Sequence, residues 1–255
     1  MRLSKFLAER LGISRRQADD LIAAEVVLVN GKVAILGEKV DFSDEVCYNG
    51  EMGAISELKR RLLLGGIRLP DEVLTKLLAL EAGLKIEEVP YIYLGMNKPA
   101  GYVCSKRRQG EAPTIFELLP LEYRDLKTVG RLDKDSSGMI LLTNDGDFAF
   151  RMTHPKFTKT KVYEVKLNKR LEPLHQQEIA DFGIEIGDGI SRLGLERMDE
   201  GRKCWIVTMH EGRNRQIRRT FAALGYQVMK LHRTKFGPYR LNGLRPGEFE
   251  VVPKV

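Results

Sequence analysis

The chain is poor in the features that staple, anchor or acidify a protein. Its 255 residues include three cysteines, Cys47, Cys104 and Cys204, widely separated and with no CxxC pair. An odd, dispersed set builds neither a disulfide framework nor a zinc knuckle. No run approaches the roughly 20 apolar residues of a membrane span. The opening MRLSKFLAERLG scatters charge where a signal peptide needs a continuous apolar stretch. These absences predict a cytoplasmic protein with free thiols and no membrane association. An acidic excess is missing too. Lys and Arg number 42 against 35 Asp and Glu, a net charge of +7, which excludes an acidic solvating protein.

What is present is a globular composition, 43% hydrophobic and 30% charged, sufficient for a real core. The charge is unevenly placed. Residues 1–50 hold 7 basic and 8 acidic residues, residues 51–90 hold 6 and 7, and residues 91–255 hold 29 and 20. Between Gly201 and Arg240 stand ten basic residues and a single acid, Glu211. Ile217, Phe221, Leu224, Val228 and Leu231 interleave them, so the run is part of a folded element and not a solvated tail. A polyanion is the expected partner, nucleic acid first.

Leu3, Phe6, Leu7 and Leu11 fall at helical spacing, with Gly12 as a stop. Ser14 is placed to cap a second helix, whose buried face is Ala18, Leu21 and Ile22. Asn30-Gly31 between β-branched runs signals a hairpin. Residues 51–90 read as two further amphipathic helices, with stops at Gly65-Gly66 and Gly83. From Tyr91 onward YIYLGMN, KVYEVKL and KCWIVTM are strand-like, while QEIADFG and NRQIRRTFAALG are helix-like. This mixture predicts an α+β domain around a mixed, mainly antiparallel sheet. Trp205 is expected in its core.

Ser14-Arg15-Arg16, Ala18, Ile22 and Val27-x-Val29-Asn30-Gly31 resemble the S4 RNA-binding module. The resemblance assigns Arg15 and Arg16 to RNA phosphates, and a helix N-terminus already favours an anion. Glu25 departs from the pattern, standing where a glycine normally follows the helix, and predicts a strained turn.

In GRLDKDSSGMILLTNDGD, residues 130–147, Arg131, Asp133 and Asp135 precede an apolar strand-like run and a tight turn follows it. A carboxylate on a loop fixed by a rigid strand is a frequent catalytic placement. By themselves these carboxylates fit a catalytic group, a magnesium site or turn caps. NKPAGYVCS (97–105), GRLDKDSSGMILLTNDG (130–146), KVYEV (161–165) and EGRNRQIRRTFAALG (211–225) follow in order. Together they resemble the ribosomal RNA pseudouridine synthases of the RsuA/RluB type. Ser136 and Met139 stand where threonine and leucine are usual, and the 51–90 segment is longer than the usual connection.

The resemblance implies an S4-like domain over 1–48, a helical linker or insertion over 49–90 and a catalytic domain of pseudouridine synthase fold over 91–255. It implies isomerisation of one uridine in ribosomal RNA, with the target base flipped out and neither metal nor nucleotide cofactor. Asp133 matches the essential aspartate. Arg218 matches the arginine that pairs with it. Tyr163 matches an active-site tyrosine that stacks on the uracil or relays a proton. Lys98 is placed in the pocket wall and against RNA, Leu231 in the pocket lining. Arg131 is assigned to flanking backbone or displacement of the base. Arg213, Arg215 and Arg219 are assigned to phosphates. His210 and His232 lack partners at metal-ligand spacing and read as surface or RNA-facing residues. The expected partner is ribosomal RNA or a ribosome assembly intermediate, met by a monomer. Two alternatives stand beside this reading: a non-catalytic assembly factor on the same fold, and a magnesium-dependent nuclease using Asp133, Asp135 and Asp145.

Overall fold

The computed structural model describes residues 1–41, 43–48, 62 and 90–255. The two helices expected within 51–90 lie outside the described residues, Leu62 and Pro90 apart. The chain forms two compact units, Met1–Val89 and Pro90–Val255.

In the first unit, helices α1 (Leu3–Leu11) and α2 (Arg15–Ala23) precede an antiparallel sheet of β1 (Val27–Val29), β2 (Lys32–Val33) and β3 (Val46–Tyr48), in the order β2-β1-β3. Local chemistry sets each boundary. Gly12 adopts φ +70°, and the Ile13 N–H donates to Ala8 O at 3.1 Å, closing α1. Ser14 Oγ accepts from the Gln17 N–H at 3.2 Å, while Gln17 Oε1 accepts from the Ser14 N–H at 3.0 Å. This reciprocal cap satisfies two orphan donors of α2. Asn30 and Gly31 both take positive φ, +50° and +74°, the two-residue turn that matches strand twist. Glu25 holds φ +59°, so the strained turn expected there is present. Leu3, Leu7, Leu11, Ala18, Leu21, Ile22, Val27 and Val46 form the core, joined by Leu62.

The second unit is built on one nine-stranded sheet. Its strands are β4 (Tyr93–Lys98), β5 (Lys127–Val129), β6 (Ser137–Thr143), β7 (Lys161–Leu167), β10 (Gly194–Arg197), β11 (Cys204–Met209), β12 (Val228–Phe236), β13 (Tyr239–Arg240) and β14 (Phe249–Val251). The order is β10-β11-β7-β12-β6-β4-β14, with β5 beside β6 and β13 beside β12. A separate hairpin joins β8 (Ile184–Glu185) to β9 (Ile190–Ser191). The unit also holds the α-helices α3 (Gly146–Thr153), α4 (Pro173–Gln177) and α5 (Gln216–Ala223), with short 3-10 and π-helical turns between elements.

Period-two alternation divides the core. On β6, Ile140 and Leu142 join Leu94, Met96, Val165 and Trp205, with Ile217 and Phe221 of α5. Met139 and Leu141 join Tyr93, Phe236 and Tyr239, with Phe148 and Met152 of α3. The fold is thus α+β with a mixed, mainly antiparallel sheet. Its single parallel pairing joins β6 to β12, with Ser137 opposite His232 and Gly138 opposite Arg233. Gly138 has φ +107°, and a Cβ there would lie 2.2 Å from Arg233 O, so only glycine fits this crossing. The loop 130–136 runs into β6 at this junction.

Candidate active site

Asp133 lies on the loop between β5 and β6, its side chain 32% exposed. The loop is held from below by Lys98, the last residue of β4, which is fully buried. Lys98 Nζ donates to the carbonyls of Pro99 (3.0 Å), Asp133 (3.1 Å), Lys134 (3.4 Å) and Ser136 (2.6 Å). An ammonium has only three protons, so these four acceptors share them and saturate it. Burial pulls Lys98 below the usual lysine range, and Cys104, Asp133 and Asp135 oppose that pull. Its expected role against RNA is therefore corrected: the cation faces inward and fixes the backbone of the loop. Cys104 pins a second point, its Sγ 3.4 Å from both the N–H and the O of Leu132. Burial pushes that thiol up. The Gly101 N–H donates to Lys134 O at 2.8 Å, pinning a third.

The carboxylate meets a different arginine from the one expected. Arg215 Nη1 lies 3.3 Å from Asp133 Oδ2. Arg218 instead donates from Nη1 to Val228 O (2.8 Å) and from Nη2 to Asp135 O (3.2 Å). Burial first, and then the charge of Arg215, pull it below the usual guanidinium range, against Asp133 and Asp135. The reason is local. Arg218 sits inside the first turn of α5 and bridges β12 to the loop. Arg215 caps that helix with φ +48°, a left-handed conformation rare for a side-chain-bearing residue. Strain of this kind concentrates at functional sites.

Arg213 and Arg219 are expected at phosphates, and in the structure both pair at the surface with the exposed carboxylate of Asp188. Arg219 makes a two-pronged ion pair with its carboxylate. Arg213 reaches Asp188 Oδ1 (3.3 Å), Ile190 O (2.6 Å) and Glu211 Oε2 (2.8 Å). Asp188 sits at the turn between β8 and β9, so this hairpin is clasped to the start of α5. Ser191 on β9 adds buried bonds from Gln216 Nε2 (3.1 Å) and Thr220 Oγ1 (2.8 Å). The sequence reading missed Asp188, although Asp188-Gly189 between short apolar runs is a hairpin signal.

Tyr163 on β7 is buried opposite Arg233 of β12 and Val207 of β11. It shares one apolar cluster with Leu231 and with Leu132, the residue before Asp133. Arg131 is exposed. Arg15 and Arg16 are exposed at the capped start of α2. His210 is exposed, with Nδ1 3.2 Å from Thr160 Oγ1. His232 is half-buried. Its Nδ1 lies 2.8 Å from Ser137 Oγ, and burial, followed by Lys230, lowers its pKa. Trp205 is fully buried, as expected.

Asp145, one carboxylate of the nuclease alternative, serves the fold instead. It caps α3 through the N–H groups of Asp147 (3.0 Å) and Phe148 (2.9 Å) and accepts from Tyr93 and Lys254, both at 2.8 Å. Burial disfavours its charge, but these donors prevail and hold the carboxyl at about 2. Among the described residues, no cluster of three His, Cys, Asp or Glu is arranged to hold a metal ion.

The site is thus a partly exposed carboxylate on a loop pinned at several points, with a cation beside it and the buried Leu132 before it in the chain. Such a carboxylate suits attack at, or charge stabilisation of, a sugar carbon. Residues 92–223 match the family model described as RNA pseudouridylate synthase, and residues 1–46 match the S4 domain. The chain is 36% identical to the ribosomal small subunit pseudouridine synthase A of Pasteurella multocida, over 98% of this chain and 94% of that one. It is 32% identical to the ribosomal large subunit pseudouridine synthase B of Bacillus subtilis, over 97% and 90%. A solved pseudouridylate synthase superposes with a TM-score of 0.62 at 31% identity, over 99% and 96% of the two chains.

Proposed function

The chain belongs to the RNA pseudouridylate synthase family, and on that premise we propose that it isomerises one uridine of ribosomal RNA, with Asp133 as its essential carboxylate. Relatives named for the small and the large ribosomal subunit are similarly close, so the proposal is ribosomal RNA without choosing between them. The observation that carries the assignment of Asp133 is its loop. Lys98, Cys104 and Gly101 fix the backbone while leaving the carboxylate accessible. That combination is the preorganisation a catalytic group requires.

In the reaction the C1′–N1 bond breaks, the freed uracil turns and C1′ bonds to C5. A proton leaves C5 and N1 gains one, so there is no net redox change. The target nucleotide must leave its stack. Arg131, exposed two residues before Asp133, is placed to help displace it. Leu132, Tyr163 and Leu231 supply the apolar side against which a detached base is kept from water. Arg215 supplies the counter-charge at Asp133, and Arg218 holds the Asp135 end of the loop. The enzyme works as a cytoplasmic monomer on free RNA or an assembly intermediate.

The test is tritium release from ribosomal RNA labelled at uridine C5. Wild type should release tritium and Asp133→Asn should not, with RNA affinity kept within about tenfold. Turnover by the variant would overturn the role of Asp133. Binding without release by wild type, on either ribosomal RNA or on assembly intermediates, would favour the non-catalytic assembly factor.

A further inference from the structure

A second surface of this unit presents clustered aromatic rings on residues other than those of the Asp133 site. Phe150 on α3 is 53% exposed. Its ring centroid lies 4.7 Å from that of His154, tilted by 46°, and 5.9 Å from that of Phe157, edge-on at 84°. His154 caps the C-terminus of α3 in extended conformation, its N–H donating to Phe150 O at 2.9 Å. Pro155 then opens a short turn that brings Phe157 back onto them. The His154 ring is fixed because its Nδ1 accepts the Lys156 N–H at 3.2 Å. Thr158 leaves the turn at φ +40°. The rings are therefore preorganised, with Phe150 and His154 exposed and Phe157 partly buried.

The rim of this cluster is cationic. Residues 146–160 contain Arg151, Lys156 and Lys159 against one carboxylate, Asp147. Lys156 Nζ lies 5.9 Å from the Phe157 centroid. The inner face of α3, Phe148 and Met152, packs with Val129 at the end of β5. A Cβ on Gly130 would lie 3.4 Å from Thr153 Cγ2 of the same helix. Gly130 opens the loop that carries Asp133, so the aromatic cluster is mounted on the strand and turn that lead to the carboxylate.

We infer that Phe150, His154 and Phe157 form a stacking platform for unpaired nucleotides of the RNA substrate, with Arg151, Lys156 and Lys159 taking the neighbouring phosphates. Every base offers a π-face, so stacking secures a strand without reading its sequence, and cations beside the rings suit the backbone between bases. The inference rests on RNA being the substrate and is independent of the chemistry at Asp133.

The test is fluorescence anisotropy of the full chain with a labelled single-stranded oligouridylate. Phe150→Ala should weaken binding roughly tenfold. Phe150→Tyr, which keeps a π-face, should bind as wild type does. Phe150→Leu, which keeps bulk alone, should fall with the alanine variant. Lys156→Gln should flatten the dependence of affinity on salt. Phe150→Ala binding within about twofold of wild type would overturn the platform, as would full affinity in Phe150→Leu. Self-association of wild type that Phe150→Ala abolishes, with RNA affinity unchanged, would assign the patch to a protein partner and overturn it equally. Asp133→Asn should retain affinity for the oligouridylate. If wild type releases no tritium from ribosomal RNA while Phe150→Ala still loses the oligouridylate, the catalytic reading fails and the platform stands.

Discussion

The arginines at the start of α2 in the first unit and those around α5 in the second use their charge in opposite ways. In the first, Arg15 and Arg16 stand exposed on a capped helix start, with no ion pair among the described residues. In the second, much of the basic run is engaged by other groups of the protein. Arg213 and Arg219 clasp Asp188, Arg218 bridges two carbonyls, and Arg233 is buried with Nε on Met139 O at 2.6 Å. Residues 1–50 carry slightly more acid than base, and residues 91–255 carry 29 basic residues against 20 acidic. The excess therefore overstates the phosphate-facing surface of the second unit. Part of it is scaffold that aims one carboxylate. A charge count within a folded element measures both uses together, and only partners and exposure separate them.

The sharpest break of that comparison is at Lys98, the cation most completely committed. Lys98→Met keeps an unbranched chain in the cavity but leaves the carbonyls of Pro99, Asp133, Lys134 and Ser136 without their donor. A loss of about 3 kcal/mol is expected, because buried acceptors are left unpaired. Urea unfolding should show a lower midpoint at unchanged slope. Tritium release should fall with it, since the Asp133 backbone is no longer fixed. Wild-type stability in this variant would mean that the loop carries its own rigidity and Lys98 is incidental.

Lys98 also marks where sequence reasoning ends. The Ser14 cap, the Gly12 stop, the Asn30-Gly31 turn and the strands at 161–167 and 204–209 are legible because each is decided by neighbours a few residues apart. The loop before an apolar strand, with Asp133 on it, is legible for the same reason. Lys98 is not, because its burial is decided by carbonyls about 35 positions onward. The exchange of Arg218 for Arg215 at the carboxylate turns on the sign of one φ angle. Asp188 lies 25 and 31 positions before the arginines it holds. The glycine of GRLDKDSSG is visible as a motif residue, but its reason, the approach of Arg233 at the parallel crossing, exists only in the folded sheet.

An intermediate case is Lys161, half-buried at the start of β7. Its Nζ donates to Glu211 O at 2.7 Å and lies 5.6 Å from the Phe236 ring centroid. Burial, followed by the charge of Arg233, brings the ammonium down to about 8. The sign follows from proton counts. Between about 8 and the ordinary lysine value, the unfolded chain holds a proton that the folded chain has released. Stability contributed at this position therefore rises with pH across that window and is flat below it. Lys161→Met removes the dependence. The stability difference between wild type and variant should move in favour of wild type from about pH 7 to about pH 10. A difference independent of pH would place Lys161 with the solvated cations.

The smallest effect is expected at Arg15 and Arg16, and it tests the other side of the comparison. The double substitution Arg15→Gln, Arg16→Gln touches no buried group and leaves the Ser14 and Gln17 cap in place. Unfolding should shift by no more than about 0.5 kcal/mol. What should change is the slope of log affinity against log salt, by about 0.7 to 0.9 for each phosphate no longer neutralised. The same substitution at Arg213 and Arg219 should do the reverse, lowering stability by loosening the Asp188 hairpin while moving the salt slope little. If Arg15 and Arg16 leave the slope unchanged, the first unit docks RNA by shape or by other residues, and its exposed arginines are solvated surface. If Arg213 and Arg219 carry the slope instead, their bonds to Asp188 give way when RNA arrives, and the paired cations of the second unit are a reserve for phosphate.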